Sequence, residues 1–328
     1  MEILNKKIAL LKSKVEKNET ITIMIIGLGS VGTFLLDFLV SLRDPQLKIV
    51  VAGRNAAKMQ MDVNIVRTAA TIRRELRSQI EILGDCDLND VDSIAATIKK
   101  ANPDFIVNSS RVYSGLKYGS ISWSNLRAYG IWSPLSIRYA KNIMAAYEKA
   151  GSNAVTINTS YSDAVIPWLK SAGKTYFDFG SGNLNHLIPR MKFFMAEKYN
   201  IDNLNDIDVT LAVSHFHDVV ISKEGHAEGQ TLLLNFKKDG KDLPFDQAEV
   251  LAACSIPMPV DQKRNMMNAS SNFNIIDSIL TALREKTVTK VHAPGVDGEI
   301  GGYPVLIDGA KAEVSFDTTL FSMDDMRA

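Results

Sequence analysis

The chain has 328 residues, 46% apolar and 23% charged, which is ordinary for a soluble globular protein and long enough that two domains are expected. Its 37 basic and 37 acidic side chains cancel, which removes any electrostatic case for nucleic acid or an anionic membrane as partner. Two distant cysteines, Cys86 and Cys254, suit a reducing cytosol, and the longest apolar runs fall well short of the ~20 residues of a membrane helix. The N-terminus alternates charged with apolar residues and does not read as a secretory signal, so a cytoplasmic protein is expected.

Residues 2–18 read as a helix. Leu4, Ile8, Leu11 and Val15 make one apolar stripe between lysines and glutamates. The stripe covers either the chain's own core, the preferred reading, or a second subunit; a homodimer is expected. Next, the β-branched run Ile21 to Ile26 enters Gly27-Leu28-Gly29-Ser30-Val31-Gly32, and the apolar run Thr33 to Val40 leaves it. In a strand–turn–helix unit Gly27 permits the tight turn and Gly29 lets the backbone approach a pyrophosphate. Gly32 lets the helix pack closely on the strand, and the helix start offers free N–H groups, with Ser30 and Val31 among them. The flanking strand and helix favour dinucleotide binding over an ordinary glycine turn.

Strand and helix patterns then alternate: strands at 47–53, 80–83, 105–107 and 154–157, helices at 56–76, 91–100 and 135–150. A loop with Gly115, Gly119 and Gly130 follows the fourth strand. Alternation of this kind means parallel strands with crossover helices, a Rossmann doubly wound sheet with the cofactor across its carboxyl ends. Past residue 160 the order changes. Strand candidates are 176–179, 209–213, 231–236, 303–307 and 312–316, with helices at 183–198 and 262–286 and a hairpin signal at Asp308-Gly309. The expected division is an N-terminal helix over 1–18, a dinucleotide-binding domain over 19–160, and over 161–328 an α+β domain with a mostly antiparallel sheet.

The second strand ends Val51-Ala52-Gly53-Arg54-Asn55, with no acid where an NAD site places one for the ribose hydroxyls. A guanidinium at Arg54 suits a 2′-phosphate, so NADP is expected rather than NAD. Asn55 adjoins it, and Asp87-Leu88 after the third strand is placed to meet the adenine. Asn108-Ser109-Ser110 ends the fourth strand, near a nicotinamide ribose, and Thr159-Ser160-Tyr161 ends the fifth, nearer the reactive ring. Capping of the following helices is the alternative use of these polar residues.

All five histidines lie beyond residue 180. On a strand with period two, Val209, Leu211, Val213, His215 and His217 share one face, so both imidazoles would continue a core-facing row into a cleft. His215, His217 and Tyr161 are the catalytic candidates, able to supply a proton or orient substrate. Structural histidines are the alternative. A metal site would need Asp218 or His226 as third ligand, and none is expected. Arg111 and Tyr113 after the fourth strand, and Asn183 and His186 in a helix start that also carries Asn185 and Arg190, are the substrate-binding candidates. The glycine-rich stretch from His292 to Pro304 reads as a lid or a surface turn. Tyr113-Ser114-Gly115-Leu116-Lys117 fits the Tyr-x-x-x-Lys pair of short-chain reductases, but follows the wrong strand and carries a glycine in its spacer.

The glycine loop, the Gly53-Arg54-Asn55 strand end and Asp87-Leu88-Asn89-Asp90 resemble the saccharopine dehydrogenase-like group of NADP-binding oxidoreductases, over about residues 20 to 165. Asn158-Thr159-Ser160-Tyr161-Ser162-Asp163 and the His292-Ala293-Pro294-Gly295 and Gly301-Gly302-Tyr303-Pro304 stretches look similar to its uncharacterised relatives. The resemblance implies hydride transfer at a carbon–nitrogen bond of an amino acid or its conjugate. Ketone or aldehyde reduction, and NADP-responsive binding without catalysis, are the alternatives.

Overall fold

The computed structural model describes residues 1–113, 121, 123–127, 131, 133–229, 232–259 and 261–328; the side chains of Asn183 and His215 lie outside that description. Strands β1 (Ile21–Ile26), β2 (Leu47–Ala52), β3 (Gln79–Leu83), β4 (Phe105–Asn108), β5 (Val155–Asn158) and β6 (Phe179–Gly180) form one sheet in the order β3-β2-β1-β4-β5-β6. Every pairing is parallel. All of β1 is buried, so its sequence Ile-Thr-Ile-Met-Ile-Ile is continuously apolar apart from one threonine and does not alternate, as a strand covered on both faces requires. Helices α2 (Ser30–Ser41), α3 (Ala56–Arg73), α4 (Val91–Ala101), α5 (Ser133–Ala150) and α6 (Ser162–Ser171) make the connections. The strand order reverses between β1 and β4, and the carboxyl ends of these two strands diverge into a crevice there.

Helix α1 (Glu2–Glu16) buries Leu4, Ile8 and Leu11 against its own chain. The apolar stripe is thereby covered without a second subunit. Lys7 Nζ reaches both oxygens of Asp178, at 2.7 and 2.9 Å, and Asp178 also accepts from the Thr156 backbone and hydroxyl at 2.8 Å each. This buried pair fastens α1 beside β5 and β6.

The remaining elements are α7 (Asn183–Tyr199), β7 (Ile207–Ala212), α8 (His215–Glu224), β8 (Leu233–Lys238), β9 (Lys241–Asp242), α9 (Gln247–Ala253), α10 (Asn265–Glu285), β10 (Val288–Pro294), β11 (Gly302–Asp308), β12 (Glu313–Phe316) and α11 (Met323–Arg327). They build two antiparallel sheets, β7-β8-β9 and β10-β11-β12, which touch through a bridge between Val213 and Gly302. The fold is therefore α/β, a Rossmann doubly wound parallel sheet with additional antiparallel sheets. Ile275, Ile279, Val305 and Val314 of α10, β11 and β12 join the same core as Leu35, Ile23 and Ile8. Leu187, Met191, Leu211, Phe236 and Leu251 form another core under β7 and β8. Among the described residues no helix is long and apolar enough to cross a membrane.

Three sequence expectations need correction here. The 176–179 stretch, read as part of the antiparallel half, instead supplies the last parallel strand at Phe179–Gly180. The stretch from His292 is a turn only in its middle: His292, Ala293 and Pro294 are buried in β10, paired with β11, and residues 295–301 make the turn between those two strands, with Ile300 exposed. Third, the histidine row does not exist, because β7 stops at Ala212 and Ser214 caps a helix. Beyond that point successive positions turn by about 100° around a helix axis, so the period of two that defined the row no longer applies.

Candidate functional site

The glycine loop crosses the switch point. Gly27 has φ +90°, and a Cβ on it would lie 3.0 Å from the Ser110 Cα. A Cβ on Gly32 would lie 2.4 Å from the Gly27 carbonyl oxygen, so only glycine lets α2 sit this close to β1. A Cβ on Gly29 would meet nothing within 4 Å: that backbone faces open space. Gly29 is also the N-cap of α2 and offers no capping side chain, and no acidic residue occupies the first turn. The helix start therefore has free N–H groups and an uncompensated positive end. Ser109 Oγ donates to the Gly27 carbonyl at 2.6 Å and holds the loop from below.

The loop forms one wall of a cleft of about 460 Å³. Gly27, Gly29, Ser30 and Val31 line it on the β1 side, Arg54, Asn55 and Lys58 at the end of β2, Leu88 after β3, and Ser109, Ser110, Arg111 and Tyr113 after β4. Arg54, Lys58 and Arg111 are exposed cations, and among the described residues no carboxylate lines the cleft. Asn55 has a second use: its side chain accepts from the Lys58 backbone at 2.9 Å and caps α3. Asp87 stands just outside the lining. Its carboxyl is held low first by the Asn89 backbone and side chain, and further by the charges of Arg54 and Arg138.

Other expected cofactor residues face inward. Asn108 Nδ2 donates to Asn158 Oδ1 at 2.9 Å, and Asn108 Oδ1 accepts from the Ser110 backbone and hydroxyl. The Thr159 hydroxyl pairs with the amide of buried Asn272 on α10, at 3.0–3.1 Å. These groups brace the carboxyl edge of the sheet. Sequence reading missed Tyr139, Gln262 and Asn265, which also line the cleft. Asn265 opens α10 and donates to Ser30 Oγ at 2.5 Å from 235 positions away, so no local pattern could announce it.

Of the catalytic candidates, Tyr161 is buried, with φ +46° at the cap of α6, and the Arg111 guanidinium lies 5.8 Å from its ring centre. His215 is the first residue of α8, and its side chain lies outside the described residues. His217 lines a different cleft, of about 730 Å³, together with Tyr303, Met326 and Arg327, and its Nδ1 meets Ser214 Oγ at 2.6 Å. His226, the proposed third metal ligand, is exposed and paired with Glu224 at 3.1 Å. His292 is structural: the Leu211 N–H donates to its Nε2 at 3.2 Å, and burial, then Lys290 and Lys192, push its pKa down to about 3. Residues 114–117 of the Tyr-x-x-x-Lys stretch, and Gly115, Gly119 and Gly130, lie outside the described residues, as does the Asn183 side chain. His186 stands in the first turn of α7, directly past the carboxyl end of β6.

Compared by sequence, no family profile and no curated protein matches the chain. Compared by structure, it is similar to lactate dehydrogenase from Cryptosporidium parvum, solved with lactic acid and nicotinamide adenine dinucleotide. That likeness has a TM-score of 0.60 and 14% identity over 94% of this chain and 93% of the other. Malate dehydrogenase from the same organism gives 0.58 and 12% over 94% and 93%. Lactate dehydrogenase from Eimeria maxima, solved with NADH and oxamate, gives 0.56 and 12% over 94% and 91%. The chain shares their fold. At such identities the likeness is one of architecture alone, and the saccharopine dehydrogenase-like resemblance rests only on the residues that suggested it.

Proposed function

We propose that the chain is an NADP-dependent oxidoreductase that moves hydride to or from a C=O or C=N carbon of a small polar acid. The observation that carries the reading is the cleft at the switch point: open backbone at Gly29, an uncapped helix start, and Arg54 and Lys58 at the β2 end, with no carboxylate in the cleft lining among the described residues. A dinucleotide fits this donor set. The N–H groups of α2 would hold its pyrophosphate, Arg54 and Lys58 its 2′-phosphate, and Leu88 and Tyr139 would flank its adenine. When bound, it supplies the hydride acceptor or donor. Arg111, exposed above Tyr161, would meet an anionic substrate entering beside it.

The resemblance to the saccharopine dehydrogenase-like group argues for an amino acid and its imine; the fold neighbours solved with lactic acid and oxamate argue for a hydroxy acid. Both readings share a substrate carboxylate beside the reacting carbon. Calorimetry with NADP and NAD tests the cofactor, and NADP should bind more tightly. A screen of 2-keto acids with and without ammonia or primary amines, followed as NADPH consumption, separates C=N from C=O chemistry. No NADPH consumption with any of them refutes the reading.

A further inference from the structure

The first residues of α2 and α10 meet on the wall of the dinucleotide cleft. Ser30 follows Gly29, whose backbone faces open space, and Asn265 Nδ2 donates to Ser30 Oγ at 2.5 Å. Both side chains are half-buried and both line the cleft. The sense of the bond is set from within α10. Asn268 Nδ2 donates to Asn265 Oδ1 at 3.4 Å, which leaves the Asn265 NH₂ group for Ser30.

An amide nitrogen only donates, so the serine oxygen is the acceptor and keeps its own proton for another partner. Among the described residues Ser30 Oγ makes that one hydrogen bond, and no protein acceptor takes the proton. The open O–H stands beside the free N–H groups at the start of α2, in a cleft lined by Arg54, Lys58 and Arg111. An unattached hydroxyl turns freely about its Cα–Cβ bond, whereas one that already accepts from a fixed amide is held as a donor before any ligand arrives.

The amide is fixed because α10 is. One turn further along, Ser271 accepts from the Gly182 N–H at 3.0 Å, and Asn272 accepts from Ser181 Oγ at 2.7 Å and from the Thr159 hydroxyl at 3.1 Å. These bonds tie the helix to the carboxyl ends of β5 and β6. Packing ties it to α2 as well, through Phe273 against Phe38 with ring centres 6.0 Å apart.

We infer that Asn265 is a positioning residue for the dinucleotide: by donating to Ser30 Oγ it aims the Ser30 hydroxyl proton into the cleft, as one more donor for the pyrophosphate. The inference rests on the dinucleotide reading of the preceding subsection, and adds to it a contribution from a helix far along the chain. The N–H groups of α2 belong to the glycine loop alone, but the orientation of this hydroxyl belongs to α10. A purely structural Asn265, which only fastens α10 to α2 as Phe273 does, is the competing account.

Calorimetry on the whole protein separates the two, with NADP and 2′-AMP as probes. The second keeps the adenine, ribose and 2′-phosphate and has no pyrophosphate. Asn265→Ala should weaken NADP by about fivefold or more and 2′-AMP by less than about twofold. Asn265→Asp, whose carboxylate captures the serine proton, should weaken NADP further than Asn265→Ala does. Ser30→Ala should weaken NADP by about tenfold, and adding Asn265→Ala to it should cost nothing more, because Asn265 acts only through that hydroxyl. Unaltered NADP affinity in Asn265→Ala overturns the inference. So do equal losses for NADP and 2′-AMP, or losses that add in the double variant, since each is what a structural Asn265 gives. Wild type that binds neither nucleotide refutes the preceding reading and this inference with it; wild type that binds NADP, with the Asn265 variants unaffected, refutes this inference alone.

Discussion

Arg54→Ala isolates the choice of nucleotide. Arg54 is exposed at the carboxyl end of β2, so its charge acts through water rather than through protein. A unit charge about 4 Å from one phosphate charge is then worth about 1 kcal/mol, and a 2′-phosphate carries nearly two. Removing the guanidinium should therefore cost about 2 kcal/mol of NADP binding, roughly a 30-fold rise in Kd. NAD lacks that phosphate and should change by less than about twofold. Salt gives a second signature. Raising ionic strength from 0.1 M toward 1 M shortens the screening length from about 10 to about 3 Å, so the gap between wild type and variant should shrink for NADP alone. Calorimetry of wild type and variant with both nucleotides at two salt concentrations measures these differences. Wild type binding NAD as tightly as NADP, or a variant that weakens both alike, refutes the assignment of Arg54.

The other predictions concern the scaffold. Gly32→Ala puts a methyl 2.4 Å from a backbone oxygen that cannot rotate away, so α2 must shift; we expect a loss of about 1–3 kcal/mol in urea unfolding and weaker NADP binding. An unchanged midpoint would show that α2 does not pack as closely as described. Lys7→Met leaves the Asp178 carboxylate buried without its cation and should cost about 3–5 kcal/mol, whereas Lys7→Met with Asp178→Asn should recover part of it. Equal losses in the single and double variants would contradict the pairing. Acid sensitivity follows from His186 and His292, whose folded pKa values of about 4 and 3 lie below the ordinary 6.5. The unfolded chain takes up protons that the folded chain refuses, so stability is full above pH 6.5 and falls as pH drops toward 4 and then 3. His292→Gln, whose side-chain oxygen can still accept from Leu211, should flatten that slope; a slope unchanged by the substitution would assign the acid loss elsewhere.

The parts of the site legible in sequence are those whose physics is local. A positive φ at Gly27, close packing at Gly32 and a cation just past the end of β2 at Arg54 are each decided within a few residues; Gly27 and Arg54 line one cleft, and Gly32 packs behind it against the Gly27 carbonyl. Asn55, Asn108 and Thr159 show the limit of that logic. Short polar side chains at strand ends serve equally as caps and cross-braces, and all three make such bonds here. The histidine row failed for a different reason. Alternation of apolar residues was real through Ala212, but strand geometry ends where Val213 bridges Gly302, 89 positions later, and Ser214 starts a helix.

By itself, then, the amino-acid order determined the parallel alternation, the glycine loop and the cation at the end of β2, because strand period, glycine conformation and helix ends are short-range properties. Only the tertiary structure decided which polar groups are spent and which stay open. Asn265 reaches Ser30 across 235 residues, and Lys7 reaches Asp178 across 171. By the same long-range packing Arg190 and His186 are left with unsatisfied edges on one face of α7. Hydrogen-bond satisfaction is a property of the packed interior, where each donor competes for acceptors brought from anywhere in the chain, and no local spacing records the outcome.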